Sequence, residues 1–362
     1  MATRQWHAAL TGLVLAGTWA CSEPTSSPAP KEADAGLAMA TESAGILAFS
    51  VSDLGTAAGL PNSVGEGINF PGEVAGVSYG VDPVVDGRVT FWDAVGPHDV
   101  GVPAGFGAAE GKAVNDFGDI VGIAHGPMSG VRRGFVWTIG GGFLILNGPP
   151  GATDVQAWDI EDNALTVVGE LTVAGNTHAF RWQPGSGYQD LHPAGYLSSH
   201  ANAIASNGAM AGWAVTPACD EHAVLWSPAA VFMDLGTLPG GTTSRGFDVN
   251  NNRAVVGESE KLGGNVVAMV RRIPAAMQGG PFANSAGSGI SDLGRMVGWA
   301  PAGGLRRAVT KKGTTAFLFL PTLAGTMLSD AREVNRCGHA AGSTTFVGGI
   351  VHATRWANVP CD

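Results

Sequence analysis

The sequence predicts an all-β fold, a seven-bladed β-propeller closed by an N-terminal strand that completes the last blade. Three observations carry this: the composition, a motif written seven times at near-constant spacing, and two chain ends that complement each other. The 362 residues include 55 glycines, with 45% hydrophobic and only 14% charged residues. That make-up suits many short apolar strands joined by turns and leaves too few charges to cover the outer faces of long helices.

The motif aligns on its last glycine. Its copies are INFPGEVAG ending at Gly76, VNDFGDIVG at Gly122, EDNALTVVG at Gly169, IASNGAMAG at Gly212, VNNNRAVVG at Gly257, ISDLGRMVG at Gly298 and VNRCGHAAG at Gly342, spaced 41 to 47 residues apart. Repetition at this period marks a solenoid or a propeller. Asn69, Asn115, Asn250 and Asn335 stand three residues before Gly72, Gly118, Arg253 and Gly338, which is Asn at the first and usually Gly at the fourth position of a type I turn closing a hairpin. Pro71 and the arginine at 253 predict that the turn type varies between copies.

A second landmark follows each turn. It reads VTFW to Trp92, GFVW to Trp137, HAFRW to Trp182, HAVLW to Trp226, AMVR to Arg271, RAVT to Thr310 and HATRW to Trp356, an alternating strand ending mostly in an aromatic. A third, DLG, stands at Asp53 to Gly55 and within DLGTLPGG from Asp234 to Gly241, with a reduced form at Asp190 and Leu191. Each repeat thus supplies three or four short strands, and no helical period persists. The last repeat ends soon after HATRW and lacks its DLG strand, while ILAFSVSDLG, Ile46 to Gly55, precedes the first. Pairing the two closes a ring and protects strand edges. A solenoid would instead show polar capping repeats.

DLGTLPGG, the N-x-x-G turn element and HAF-x-W, best matched at Asp234 to Gly241, Val249 to Gly257 and His178 to Trp182, resemble the HAF repeat family of extracellular bacterial proteins over about residues 46 to 358. The resemblance implies an exported repeat protein and brings no active site to carry over.

Residues 1–20 read as a signal peptide, with Arg4 ahead of a 13-residue apolar run from Ala8 to Ala20 that is too short to span a bilayer. Cys21 then stands where a bacterial lipoprotein carries its lipid, residues 21–45 read as a flexible tether, and residues 46–362 as the propeller. Thr18 occupies a place that lipoprotein leaders usually give to Leu, so secretion after cleavage near Ala20 is the alternative. The expected location is the outer membrane or cell surface, or otherwise the periplasm or medium. Of the remaining cysteines, Cys337 and Cys361 are a reasonable disulfide in an exported chain, leaving Cys219 free.

The net charge of -10 argues against nucleic acid or an anionic membrane as the main partner. The expected partner is a glycan or envelope protein, with membrane contact through the lipid anchor alone, a monomeric chain, no cofactor and no metal. His178, His222 and His352 open equivalent strands, which predicts imidazoles hydrogen-bonded between blades, and the recurring tryptophans predict packing between blades. Asp159, Glu161 and Asp162 read as solvated loop acids. The candidate binding surface is Trp213 and Trp299, each directly after a repeat glycine, with Asp220 and His222. No catalytic residue is assigned. The expected function is a binding or scaffold module at the cell envelope, and the alternative is a carbohydrate-active or other hydrolytic enzyme, which would gather two carboxylates, or an acid and a histidine, at the tunnel mouth.

Overall fold

A computed structural model describes residues 48–359 except Ala58, Met128, Ser129 and Thr314. Seven four-stranded antiparallel sheets form seven blades: I (62–101), II (108–146), III (152–190), IV (198–236), V (244–283), VI (286–319), and VII (326–359 with 48–55). In blades I to VI the strands a to d follow chain order from the innermost outward. In blade VII the outermost strand is Ala48–Gly55, paired antiparallel with Val351–Val359. The expected closure is therefore present. One four-residue helix, Pro83–Asp86, interrupts the b–c loop of blade I.

Six of the seven a–b hairpins are closed by the same turn, which begins at Asn69, Asn115, Ala205, Asn250, Ser291 and Asn335. The N–H of Gly72, Gly118, Gly208, Arg253, Gly294 and Gly338 donates to the carbonyl three residues back at 2.7 to 3.0 Å, and all six adopt positive φ. This is one geometry, a type I turn followed by a left-handed residue. The expected variation fails at position 253, where Arg adopts φ 57° like the glycines it replaces. Only blade III departs, its turn running one residue longer from Glu161 to Thr166.

The turn asparagines also staple neighbouring blades. Their Oδ1 atoms accept N–H groups of their own turn, as at Asn335 from Cys337 and His339. Their Nδ2 groups cross to the next turn: Asn69 donates to the Asn115 carbonyl (3.0 Å), Asn250 to Ser291 (3.0 Å) and Asn335 to Asn69 (2.8 Å). Higher on the strands, Ser63, Ser199, Ser244, Ser285 and Ser329 each accept through Oγ the N–H of Ala353, Ala179, Ala223, Ala268 and Ala308 in the preceding blade. Those alanines are the second letter of the HAF element.

Trp92, Trp226 and Trp356 are fully buried, and their indole N–H groups donate to Gly55, Leu191 and Pro321 on the preceding blade at 2.8 to 3.3 Å. Packing between blades is thus their role, with Trp137 and Trp182 half-buried. The histidines differ from expectation: their partners lie inside the same blade. Nδ1 of His178, His222 and His352 lies 2.8 to 2.9 Å from Oδ2 of Asp190, Asp234 and Asp53 on the adjacent outer strand. HAF and DLG are two halves of one cross-strand pair, and blade I substitutes Arg88 with Asp99.

Candidate functional site: the carboxylate-lined channel mouth

Every innermost strand carries a β-bulge at the same place. Pairing with the b strand skips one residue between Gly65 and Gly67, Gly111 and Ala113, Ala157 and Asp159, Ala201 and Ala203, Gly246 and Asp248, Gly287 and Gly289, and Ala331 and Glu333. A bulge leaves its extra residue unpaired and re-aims its side chain. The seven extra residues, Glu66, Lys112, Trp158, Asn202, Phe247, Ser288 and Arg332, are all half-buried. No two copies share a residue here, although the position just before it is always Gly or Ala.

Glu66 joins three blades at this level. Its carboxylate accepts from Arg332 of blade VII (2.6 Å) and lies 3.4 Å from Lys112 of blade II. Lys112 also binds Glu110 (3.0 Å) and sits 5.6 Å over the Trp158 ring. Burial opposes the charge on Glu110, but His125 and Lys112 hold its carboxyl down at about 2.

One residue nearer the turns stand Gly67, Ala113, Asp159, Ala203, Asp248, Gly289 and Glu333. Innermost strands crowd together here: a Cβ on Gly67 would lie 2.8 Å from Ala113 Cα, and one on Gly289 3.0 Å from Glu333 Cα. The three acids occupy alternate blades, III, V and VII. Asp159 accepts from its own neighbour Ile160 (2.8 Å) and across the blade boundary from Ile204 (2.7 Å). Asp248 repeats this with Val249 and Ile290, both at 2.6 Å. Glu333 accepts from Val334 (3.0 Å).

Burial pushes the Asp159 carboxyl well above the usual range against the Ile204 hydrogen bond, with Asp248 and Asp162 adding to the rise. Burial likewise raises Glu333 well above its ordinary value, reinforced by Asp248 and Asp159, and brings Asp248 to about 7. Asp162 in the blade III turn is raised by burial and by Asp116 and Asp292, against a 2.7 Å hydrogen bond from Ser206. Asp159, on the innermost strand of blade III, is therefore not the solvated loop acid expected from sequence, whereas Asp162 is an exposed turn acid at the rim, as expected.

These groups line one cavity of about 180 Å³ at the turn-side end of the channel, which takes Asp116, Asp159, Asp162, Asp248, Asp292 and Glu333 along its wall and rim. Among the described residues, Arg336 is its one cationic lining residue. That guanidinium lies 3.6 Å over Phe70 and 3.1 Å from Asp116. Such a cup, concave and negative with oxygens fixed by backbone N–H groups, offers a preorganised environment for positive charge. Among the described residues, no group of three or more His, Cys, Asp or Glu is arranged to hold a metal ion.

The residues chosen from sequence lie elsewhere. Trp213 is half-buried on the b strand of blade IV, stacked on His200 at 3.7 Å with the Arg245 guanidinium 5.0 Å from its ring. Trp299 occupies the equivalent place in blade VI beneath Arg306 (4.1 Å). Asp220 closes the b–c loop of blade IV, its N–H donating to Thr216 Oγ1 (3.2 Å), and His222 is engaged by Asp234. None of the four lines the cup. Cys337 is disulfide-bonded, and its expected partner Cys361 lies outside the described residues. Cys219 was expected free but is also disulfide-bonded. Cys21, the leader and the tether up to residue 45 lie outside the described residues. No helix among those described is long and apolar enough to cross a membrane.

No family model and no curated protein matches the chain. Solved structures match its fold. The β-propeller domain of the Trilobed protease from Pyrococcus furiosus, described as having an open velcro topology, superposes with TM-score 0.54 at 7% identity over 83% of this chain and 94% of that one. A structure from a study of two prolyl endopeptidases gives 0.53 at 12% identity over 83% of this chain and 51% of that one. Puromycin hydrolase gives 0.50 at 10% identity over 83% and 52%. At such identities the likeness is one of fold, and fold does not carry function. Unlike an open ring, this one is sealed by its N-terminal strand.

Proposed function

We propose that this protein is an exported binding module of the bacterial cell envelope, lipid-anchored through Cys21, that receives a positively charged organic group in the channel cup. The observation that carries the reading is the convergence of six carboxylates from five blades on one small cavity with a single arginine. A cup of about 180 Å³ is below the roughly 300–1,000 Å³ of pockets that enclose drug-sized ligands. It suits a terminal ammonium or guanidinium of a longer molecule. A ligand cation stabilises the ionised carboxylates that burial disfavours, so binding is coupled to release of protons the cup otherwise holds. The resemblance to the HAF repeat family, on the landmarks above, supports reading the chain as an exported protein without a catalytic role.

Calorimetric titration with spermidine, cadaverine and a lysine-terminated peptide tests this. Saturable binding that Asp159→Asn and Asp248→Asn each weaken supports the cup; amines that fail to bind sink it. The anchor has its own test in the intact mass of the exported protein. A Cys21 sulfur carrying a lipid cannot also form a disulfide.

A hydrolase on the same ring is a second reading, favoured by the carboxyl of Asp248 near 7 beside other acids, the pattern of a proton donor at neutral pH. Turnover of any glycoside or ester that Asp248→Asn abolishes would replace the binding reading.

A further inference from the structure

A second cavity, of about 520 Å³, opens beside the cup on the turn side of blades V and VI. Asn250 and Asp292 line both, so the two are contiguous. Their chemistry differs. Where the cup is walled by carboxylates, this groove is walled by Arg272 and Asn252, with Ile273 and Leu293 as its apolar surface. Arg272 ends the third strand of blade V, Asn265–Arg272. It pairs with Ala254, two residues beyond the Val256–Val270 pair, and so lies on the face that Ala254, Val256 and Val270 pack against Ile290 and Met296 of blade VI.

The neighbouring cations are engaged. The Arg336 guanidinium of the cup is held by Asp116 and Phe70, and Arg271, on the opposite face of the same strand, donates to the Ala275 carbonyl. Arg272 is half-buried, yet among the described residues no carboxylate lies within ion-pair distance of it and no hydrogen bond engages its guanidinium. Asp292, the acid on the shared wall, accepts instead from Asn251, whose N–H and Nδ2 donate to it at 2.9 and 2.7 Å. An unpartnered guanidinium on the wall of a groove offers a planar fork of donors that matches a carboxylate. The cup begins within reach of it. Asp248 pairs with Val256 and Val256 with Val270, so the first and third strands of blade V stand two strand spacings apart, roughly 10 Å. An extended lysyl side chain and the length of Arg272 itself together span that distance.

We propose that this groove is a carboxylate subsite, and that cup and groove together bind the C-terminal lysine or arginine of a peptide. The side-chain cation enters the cup, the α-carboxylate lies on Arg272, and the preceding residue rests against Ile273 and Leu293. The proposal rests on the cup reading above and deepens it from an organic cation to a ligand with two opposite charges. A polyamine satisfies the cup alone and sets positive charge against Arg272. A free basic amino acid carries the same two charges but has no chain to cover Leu293, which is 54% exposed. The groove's volume lies within the roughly 300–1,000 Å³ of pockets that hold small ligands, so it has room for what the cup cannot enclose.

The test is calorimetric titration of the full chain with three matched probes: acetyl-leucyl-lysine, its C-terminal amide, which lacks the carboxylate, and its Nε-acetyl form, which lacks the ammonium. The acid should bind about tenfold tighter than the amide, the low end for a hydrogen bond to a charged group, and should also bind tighter than the Nε-acetyl form and free lysine. Arg272→Gln should erase the preference for acid over amide. Arg272→Lys, which keeps the charge without the fork, should retain part of it, and melting curves check that each variant folds. Equal affinity for acid and amide, or a preference that survives Arg272→Gln, would overturn the proposal and leave the cup reading standing. If neither ammonium-bearing peptide binds, the cup reading falls and the proposal with it. Binding of the Nε-acetyl form as tightly as the acid would make the groove a simple anion site and overturn the two-charge ligand. Free lysine binding as tightly as the peptide would overturn the peptide assignment in favour of an amino acid.

Discussion

His352 Nδ1 lies 2.8 Å from Asp53 Oδ2 across the seam that closes the ring, although the two residues are 299 positions apart. The same pair recurs inside blades III and IV as His178 with Asp190 and His222 with Asp234, where both partners come from one repeat. At the seam the two halves come from opposite ends of the chain, so a local hairpin pair becomes the fastening of the whole fold.

Removing the closing strand, residues 48–55, should therefore cost far more than removing the pair. Asp53→Ala deletes a half-exposed contact worth about 0.2–1 kcal/mol. Deleting the strand exposes the edge of Val351–Val359 and uncovers Trp356, whose burial is complete. Exposed edges invite intermolecular pairing, so size-exclusion chromatography should show aggregates or oligomers for the deletion and a monomer for Asp53→Ala.

Stability should fall as pH rises toward neutrality. Asp248 titrates at about 7 in the fold against an ordinary 3.8, so the folded state holds a proton that the unfolded chain releases. Its contribution is fully present below the unfolded value and is lost as pH rises through 7, at most about 4 kcal/mol. Asp159 and Glu333 shift in the same direction. Urea melts at pH 5 and pH 8 should show the difference. Asp248→Asn should flatten it, while losing an acceptor for one of the Val249 and Ile290 N–H groups.

Arg253→Gly should stabilise the protein by about 0.5–1 kcal/mol. The arginine is exposed and holds φ 57° where most other copies have glycine, a conformation that costs an L-residue about 1–2 kcal/mol, partly offset by the greater freedom of unfolded glycine. Thermal denaturation decides it, and a lower melting temperature would show that the arginine side chain contributes contacts outweighing the strain.

Gly67→Ala should act in the other direction. The added methyl would sit 2.8 Å from the Ala113 backbone, which the innermost strands can relieve only by moving apart, at about 1–3 kcal/mol. The same change at Gly59, which has nothing within 4 Å of a Cβ but a φ of 70°, should cost only its backbone strain, about 1–2 kcal/mol.

Much of this was legible in the sequence. Blade number, turn position, the ring closure and the tryptophans follow from spacing, because each is set by local pattern repeated. The cup was not. Strict alternation places Trp158 and Asp159 on opposite faces, and only the bulge breaks that alternation and leaves Asp159 lining the cup. A bulge is a one-residue change of register with no residue type of its own, so Asp159 reads as a loop acid until the pairing is seen. The position where seven copies carry seven different residues, from Glu66 to Arg332, was available as a signal, set inside the most regular part of the repeat. Ser63 and its four counterparts were equally visible as a recurrent serine, but their partner lies in the neighbouring blade, which sequence spacing alone does not identify.

The central claim is that the cup binds an organic cation through carboxylates that burial keeps partly protonated. Titrating spermidine into the protein at pH 7 in two buffers of different ionisation enthalpy measures it most directly, because the difference in heat counts protons. Binding should be saturable with net proton release, reduced in Asp248→Asn. Binding without proton release that is unchanged in Asp248→Asn, or no binding at all, would contradict it.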